Sequence, residues 1–147
     1  EIKKEVRTLF QKAMQSIQFR EDTLEITQSS YAILDQIVVV MKVNDNFSLE
    51  IQGHTDNIIR NKTAVADGIV KDSVAQHKAD SLHKIQISEG YANLVKKYLT
   101  SKGVNENRLI VKGFGDTKPV ASNQSPAGRN KNRRVELMIV FEEIKQD

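Results

Sequence analysis

The sequence contains no cysteine among its 147 residues. Disulfide bonds, thiolate metal ligands and a cysteine nucleophile are therefore excluded, although cysteine-free chains occur in every redox compartment. There is also no apolar run of about eighteen residues, the length that a membrane-spanning helix needs. The formal charge of +3 comes from 22 basic and 19 acidic residues. This charge is a mild bias toward anionic partners and falls short of the excess that is typical of nucleic-acid-binding proteins.

What the sequence does contain is typical of a folded domain. Charged residues make up 28% and apolar residues 39% of the chain, a balance found in ordinary soluble proteins. The length fits one domain, residues 1–147, with a single core. Because the chain begins at Glu1 and not at a methionine, we expect it to be part of a longer protein with any signal peptide or anchor upstream.

Apolar periodicity predicts three helices and several short extended segments. The second helix contains the β-branched run "IVVVM", which also fits a strand, but the candidate N-cap Thr27 and the following "NDN" turn favour a helix. Gly103 stands where a glycine commonly ends a helix. The predicted helices cover residues 2–17, 28–42 and 88–102, and the extended segments cover 17–19, 24–26, 47–52, 108–114 and 135–141.

Two segments lack a clear period. Residues 57–86 contain Gly68, many charges and a weak apolar repeat, so we expect a long loop with some helix at most. Residues 115–134 are rich in Gly, Pro, Asn and Ser, which is turn chemistry. The alternation of helices and strands around these segments indicates an α/β or α+β sandwich, with helices packed on a small sheet.

The stretch "GHTDN" marks the first candidate site. It follows the strand that ends near Gln52, and the carboxyl ends of strands are where such folds usually place ligands. Gly53 would allow close approach to the backbone, and Asp56 could accept hydrogen bonds from an ammonium group. The alternative is a simple turn in which Asp56 caps its own loop.

The second candidate is the basic segment "GRNKNRR". Its four cations could bind phosphate or carboxylate, although side chains alternate along a strand, so Arg133 and Arg134 would point to opposite faces. Alternatively, they are solvated or pair with Glu136. No aromatic residues are interleaved, so this segment is a weak signal for nucleic acid. The four cations are Arg129, Lys131, Arg133 and Arg134.

Catalytic and metal-binding patterns are weak. His77, Asp80 and His83 recur every three residues, but structural and catalytic zinc sites favour tighter ligand patterns. His54 precedes Thr55 and Asp56, yet the chain has no GxSxG elbow and no serine in a setting typical of a nucleophile. We therefore expect no enzymatic activity, no metal and no cofactor.

Four blocks of sequence carry a resemblance to a known family: "IQGHTDN", "ISEGYANLVKKYLTSKGV", "RLIVKGFGDTKPVASN" and "GRNKNRRVEL". In order and spacing they resemble the OmpA-like domain, the peptidoglycan-binding module of OmpA C-terminal halves, peptidoglycan-associated lipoproteins and flagellar stator B subunits. The resemblance covers about residues 17–141, interrupted by a long inserted loop at about 58–86. It implies an α+β fold, a βαβαβ-type sandwich with helices packed on a small mixed sheet, here with an extra N-terminal helix.

The resemblance also implies a function. Members bind the diaminopimelate of the cell-wall stem peptide without covalent chemistry, and so anchor an outer-membrane or envelope protein to the wall from the periplasm. The family's aspartate of the "HTD" block, which holds the ligand ammonium, corresponds to Asp56, with Thr55 and backbone amides orienting the ligand. The family's arginine for the ligand carboxylate falls at Tyr91, and an earlier family asparagine falls at Lys84.

Three interpretations of Tyr91 follow. Its ring can join the apolar face of the helix and leave the site degenerate. Its hydroxyl can instead donate a neutral hydrogen bond while Lys84, Arg129 or Arg133 supplies the charge. Or the ligand can be an amidated diaminopimelate that presents no free carboxylate. The first interpretation leads to a second function, in which the fold serves as a protein-interaction or dimerisation module that can form a homodimer. Membrane contact is expected through an upstream anchor alone.

Overall fold

The computed structural model describes residues 4–17, 19, 26–58 and 73–141. Within this part of the chain, four helices and three strands follow one another, and a 3₁₀ turn at Glu106–Arg108 precedes the second strand. The elements are α1 (Lys4–Ser16), α2 (Gln28–Val43), β1 (Phe47–His54), α3 (Ser73–Ser101), β2 (Leu109–Gly113), α4 (Pro126–Asn132) and β3 (Arg134–Phe141).

The strands form one mixed sheet with β1 at its centre. The order is β2-β1-β3, with β1 parallel to β2 and antiparallel to β3. Ile51 lies between Val111 and Leu137 and is fully buried. The next row, centred on Gln52, carries Lys112 and Glu136 and belongs to the other face. The helices pack on the apolar face, so the predicted α+β class with helices on a small mixed sheet is confirmed.

The valine-rich segment is the helix α2. Its buried residues recur at helical spacing: Ser30, Ile33, Leu34, Ile37, Val38 and Met41. Thr27 occupies the N-cap position, but its hydroxyl pairs with the Ser30 hydroxyl at 2.7 Å and not with a backbone amide. Burial of one face against the core outweighs the modest helix propensity of valine.

Arg108 fixes the end of α2 to the sheet. Its guanidinium donates to the main-chain carbonyls of Met41 and Asn44 at 2.5 Å each, and to that of Phe47 at 2.8 Å. These carbonyls belong to the last turn of α2 and the start of β1. One cation thus satisfies acceptors that a helix C-terminus leaves open.

Helix α3 ends as the sequence predicts. Gly103 has a φ of +103°, and the amide of Val104 donates to the carbonyl of Leu99 at 3.1 Å. The amide of Gly103 donates to the carbonyl of Thr100 at 3.0 Å. This is a Schellman motif, in which glycine accepts the left-handed conformation without steric cost.

The start of α3 differs from the sequence-based prediction. Residues 73–86 are helical, so the predicted loop over 57–86 is wrong in its second half, and residues 59–72 lie outside the described part. Ser88, where the predicted helix 88–102 would begin, is consequently an interior helix residue. The polar stretch before Ser88 lacks Gly and Pro and is rich in good helix formers such as Ala79, Leu82 and Lys84. None of the described helices is apolar enough over its length to cross a membrane.

Three further differences concern the other segments. The strand predicted at 47–52 continues to His54, because its pairing with β3 extends to Arg134. The turn-rich segment 115–134 contains the short helix α4, which begins at the N-cap Ser125 followed by Pro126. Of the predicted N-terminal extended segments, Phe19 and Ile26 form an isolated antiparallel bridge, while residues 18 and 20–25 lie outside the described part.

The close packing of α3 on β1 depends on Gly53. A Cβ atom at this position would lie 1.8 Å from the backbone oxygen of Ser88. We expect Gly53→Ala to lower the free energy of unfolding by about 3 kcal/mol or more, at the upper end of overpacking costs, because a helix backbone must move. Urea unfolding measures this cost, with Ser48→Ala on the same strand as the control. Equal stability of the two variants would contradict the close approach.

Candidate functional site

The candidate site lies beyond the carboxyl ends of β1 and β2. Backbone hydrogen bonds continue between the two segments that leave these strands. The Phe114 amide donates to the Gly53 carbonyl at 3.0 Å, and the Thr55 amide donates to the Gly115 carbonyl at 2.8 Å. Helix α3 supports the second segment through Ser88, whose hydroxyl accepts from the Gly115 amide at 2.9 Å. The same hydroxyl donates to the Ile85 carbonyl at 2.7 Å. The segment that carries Asp56 is therefore held on two sides.

Asp56 forms a buried ion pair with Arg133. The Arg133 Nη1 atom lies 2.5 Å from Asp56 Oδ2, and the two side chains are 2% and 0% exposed. The other carboxylate oxygen, Oδ1, accepts from the Ile58 amide at 2.9 Å, so Asp56 also caps its own turn. The interpretation of Asp56 as the cap of its own turn is thus confirmed, while its other carboxylate oxygen faces the Arg133 cation.

Helix α4 positions Arg133. Ser125 caps the helix by accepting from the Gly128 amide at 3.0 Å, and Arg133 is the C-cap residue, whose amide donates to the Arg129 carbonyl at 3.1 Å. From this position the Arg133 Nη2 atom also donates to the Asn130 side chain at 3.2 Å. The carboxylate of Asp56 offsets the charge of the buried guanidinium, and two of its nitrogens, Nη1 and Nη2, have acceptors.

Asn132 shapes the loop in front of α4. Its side-chain oxygen accepts from the amides of Val120 and Ala121, at 2.8 and 3.0 Å, and its side-chain nitrogen donates to the Ala121 carbonyl at 2.9 Å. Asn132 is fully buried. Sequence reasoning missed Asn130 and Asn132, although both lie within the basic segment "GRNKNRR". Short amides placed between cations could have suggested buried hydrogen-bonding roles.

The other residues proposed from the sequence lie in different surroundings. Thr55 is 5% exposed and adjoins Asp56. Lys84 pairs with Asp116 at 2.9 Å, next to the Gly115 segment. Arg129 is half-buried and donates to the Asn123 carbonyl at 3.0 Å. Tyr91 belongs to the hydrophobic core, 5% exposed, with its ring stacked on Phe19 at a centroid distance of 4.3 Å.

Three buried polar atoms of the candidate site residues have no hydrogen-bond partner among the described residues. They are Thr55 Oγ1, Arg133 Nε and Arg129 Nε. Unpaired buried donors are rare in folded proteins and usually have a structural or functional reason. Two of these atoms belong to Arg129 in α4 and to the C-cap residue Arg133, and both ring nitrogens of His54 are also buried without a hydrogen-bond partner among the described residues.

A second buried charge cluster surrounds His54. The imidazole is 1% exposed, stacks on Phe114 at a centroid distance of 5.3 Å, and has its Nε2 atom 3.7 Å from Glu136. Arg134 donates to Glu136 at 2.9 Å and to the Lys118 carbonyl at 2.9 Å. Both Arg133 and Arg134 are buried, so the sequence-based alternative that they are solvated is wrong. The other half of that alternative, pairing with Glu136, is confirmed for Arg134.

Burial lowers the pKa of His54 from 6.5 to about 4, with further lowering by the Arg134 and Lys118 charges and opposition from Glu136. The residue is thus neutral near pH 7 and serves as an aromatic packing group.

The chain matches known proteins over most of its length. Residues 18–133 match the sequence model of the OmpA family. The peptidoglycan-binding protein ArfA of Mycobacterium tuberculosis is 30% identical over 123 residues, which is 84% of this chain and 32% of that protein. Outer membrane protein A of Bordetella avium is 32% identical over 108 residues, 74% of this chain and 45% of that protein. The chain therefore spans less than half the length of these curated relatives.

The fold also matches solved structures. The peptidoglycan-associated lipoprotein from Burkholderia pseudomallei superposes with a TM-score of 0.66, at 24% sequence identity, over 86% of this chain and 91% of that one. At this identity the likeness shows a shared fold.

The shifted pKa of His54 predicts a pH-dependent stability. The unfolded chain binds a proton below about pH 6.5, whereas the folded protein resists protonation until about pH 4. Stability is therefore present above pH 6.5 and is lost as the pH falls from 6.5 to 4, by roughly 3 kcal/mol for a pKa difference of this size. Urea unfolding at pH 4.5 and 7.5 should show a smaller pH-dependent loss for His54→Phe than for the original chain. An identical loss in both proteins would contradict the lowered pKa.

Proposed function

Because the chain belongs to the OmpA family, we propose that it binds peptidoglycan through the free end of diaminopimelate in a stem peptide. Binding is non-covalent and involves no catalysis, and it anchors an envelope protein to the cell wall in the periplasm. Support comes from a relative named as a peptidoglycan-binding protein and from a structural neighbour named as a peptidoglycan-associated lipoprotein. The observation that carries the proposal is the buried Asp56–Arg133 pair beside unpaired donors at the carboxyl end of β1.

The chemistry of the ligand suits this pair. The free end of diaminopimelate carries one ammonium and one carboxylate, so it is a zwitterion. If it inserts between Asp56 and Arg133, the ligand ammonium pairs with the aspartate and the ligand carboxylate pairs with the arginine. The single Asp56–Arg133 ion pair is then replaced by two ion pairs to the ligand. The net charge of the buried site does not change, which avoids leaving a buried charge uncompensated.

The neighbouring residues then have supporting roles. Thr55 Oγ1 and the Nε atoms of Arg133 and Arg129 offer buried polar atoms that lack partners among the described residues. Lys84 can approach the ligand carboxylate after exchanging its partner Asp116, since both side chains of that pair are partly exposed, 16% and 29%. Exchange of a partly exposed pair costs little, because such pairs contribute about 1 kcal/mol or less.

A second function is favoured by one specific observation, the position of Tyr91. Its ring packs against Phe19 within the core, where the resemblance places a ligand-binding arginine. This supports the interpretation in which the wall site is degenerate and the fold binds a protein instead. The two functions differ in whether Asp56 contacts the wall.

We expect Asp56→Asn to abolish retention on purified peptidoglycan, because the ligand ammonium loses its negatively charged partner. The substitution also leaves Arg133 buried without its carboxylate, which costs about 3–5 kcal/mol of stability. A core variant distant from the site, Leu34→Ala, has a similar expected cost of about 2–5 kcal/mol and is the matched control. Retention is measured at a temperature where circular dichroism shows that both variants are folded.

If the Asp56→Asn protein is retained as well as the control, wall binding through Asp56 is refuted and the interaction module is favoured.

A titration with muropeptides distinguishes the free from the amidated form of diaminopimelate. If Arg133 takes the ligand carboxylate, free diaminopimelate should bind about ten- to a hundredfold more tightly than the amidated form, the effect of one charge-assisted hydrogen bond. Equal affinity would indicate that the ammonium alone is recognised.

The role of the Tyr91 hydroxyl is tested by Tyr91→Phe. The ring stacking on Phe19 is retained in this variant, so the fold should not change. We expect muropeptide affinity to stay within about twofold, since a buried core ring is not a ligand contact. A loss of about tenfold, the value of a neutral hydrogen bond at the upper end of its range, would instead show that the hydroxyl binds the ligand. Isothermal titration calorimetry makes the comparison.

A further inference from the structure

The charges at the candidate site do not balance. The Arg133 cation is paired with the Asp56 carboxylate. The Lys84 cation is likewise paired with Asp116. Arg129, the third cation, donates to a main-chain carbonyl, which is a neutral group, and it belongs to no ion pair among the described residues. Three cations therefore face two carboxylates, and the site has one positive charge in excess.

The guanidinium of Arg129 also has unused hydrogen-bonding capacity. Its Nη1 atom donates to the Asn123 carbonyl at 3.0 Å, and its buried Nε atom has no hydrogen-bond partner among the described residues. A guanidinium carries five N–H donors in a planar fork, which matches the two oxygens of a carboxylate. Because Arg129 is half-buried, a ligand can reach the side chain without unfolding of α4. The residue is therefore suited to bind an additional carboxylate.

Arg129 lies one helical turn before Arg133. The Arg133 amide donates to the Arg129 carbonyl at 3.1 Å, so the two residues keep the i, i+4 relation of a helix. Residues with this spacing lie on the same side of a helix, about 6 Å apart along its axis. A ligand held between Asp56 and Arg133 consequently has its next atoms within reach of Arg129.

A stem peptide carries carboxylates at a suitable distance. Diaminopimelate follows a glutamate that is linked through its γ-carboxyl group, so the α-carboxylate of this glutamate is free. The alanine that follows diaminopimelate has a free carboxylate where the peptide ends there. From the free end of diaminopimelate to the α-carbon of either neighbour there are at most about nine bonds, the length of three residues, or about 10 Å when extended. A flexible connection of this length spans the distance between Arg133 and Arg129.

Building on the function proposed above, we propose that Arg129 forms a second subsite, which binds a carboxylate of the stem peptide next to diaminopimelate. This group is either the glutamate α-carboxylate or the alanine carboxylate. Asp56 and Arg133 hold the zwitterionic free end, and Arg129 holds the peptide that leads away from it. The zwitterion adds no net charge, and the second carboxylate offsets the excess cation. The domain thus distinguishes stem peptides by the amidation of the residues beside diaminopimelate.

Isothermal titration calorimetry with four synthetic tetrapeptides tests this subsite. Each peptide contains N-acetylated alanine, γ-linked glutamate, diaminopimelate with its free end intact, and a second alanine. The glutamate and terminal alanine carboxylates are each either free or amidated. We expect amidation at one of these positions to weaken binding about tenfold, the lower value for a charge-assisted hydrogen bond, because Arg129 is half-buried. The position that shows the loss identifies the carboxylate.

Arg129→Gln assigns the loss to this residue. Glutamine retains an amide donor for the Asn123 carbonyl but removes the charge. The variant should bind the peptide with both carboxylates free about tenfold more weakly, and amidation should then change its affinity by less than about twofold. Lys131→Gln is the matched control, because Lys131 is an exposed cation of the same helix. Its affinity should stay within about twofold of the original, since exposed charges are screened by salt.

Three results would overturn the second subsite while peptide binding through Asp56 persists. These are equal affinities for all four peptides, an amidation loss that is unchanged in Arg129→Gln, and a loss in Lys131→Gln as large as that in Arg129→Gln. Failure of the proposed function gives a different result, in which no peptide binds the original chain or Asp56→Asn does not weaken binding. That result refutes the subsite as well. Circular dichroism melts confirm that all variants are folded.

Discussion

The buried ion pair between Asp56 and Arg133 is the interaction on which the candidate site depends. It joins residues that are 77 positions apart in the sequence, one after β1 and one between α4 and β3. A buried pair of this kind contributes little net stability compared with an apolar pair, yet removal of either partner is costly because the other charge stays buried. The pair therefore fixes the relative positions of the two segments more than it strengthens the fold.

The placement of Asp56 in turn depends on how closely α3 lies against the strands. Gly53 and Gly113 carry no side chain at the positions that Ser88 approaches, so the helix can reach the backbone of both strands. Ser88 then holds Gly115, and Gly115 holds Thr55. These contacts link α3 through the Gly115 segment to the segment that carries Asp56. They explain why β1 has a glycine, Gly53, just before the hydrogen-bonding residues that follow it.

The charged side chains of the site are paired within the protein. Asp56 faces Arg133, Lys84 faces Asp116, and Arg129 is bound to a carbonyl. A zwitterionic ligand can exchange with such pairs without changing the net charge, whereas a purely anionic or cationic ligand would leave one buried charge unmatched. The charge pattern of the site thus favours a ligand that carries both signs.

Much of the fold could be predicted from the sequence, because its signals are local. The apolar period of α2, the glycine that ends α3 and the alternation of β1 and β3 are short-range patterns, and each corresponds to an observed element. The polar first half of α3 and the short helix α4 were missed. In the first case weak amphipathicity conceals a helix that propensity supports, and in the second a capping serine and proline lie among turn residues.

The sequence by itself determined the family and the class of fold, because both depend on motifs or on periodicity along the chain, and it singled out Asp56 as a candidate site residue. The tertiary structure decided which cation faces Asp56, that Tyr91 packs in the core, and that Arg134 pairs with Glu136 beside His54. Such pairings depend on distances between segments far apart in sequence, and a buried charge takes whichever partner the packing brings within reach. That choice is made by three-dimensional proximity, which no local pattern of residues encodes.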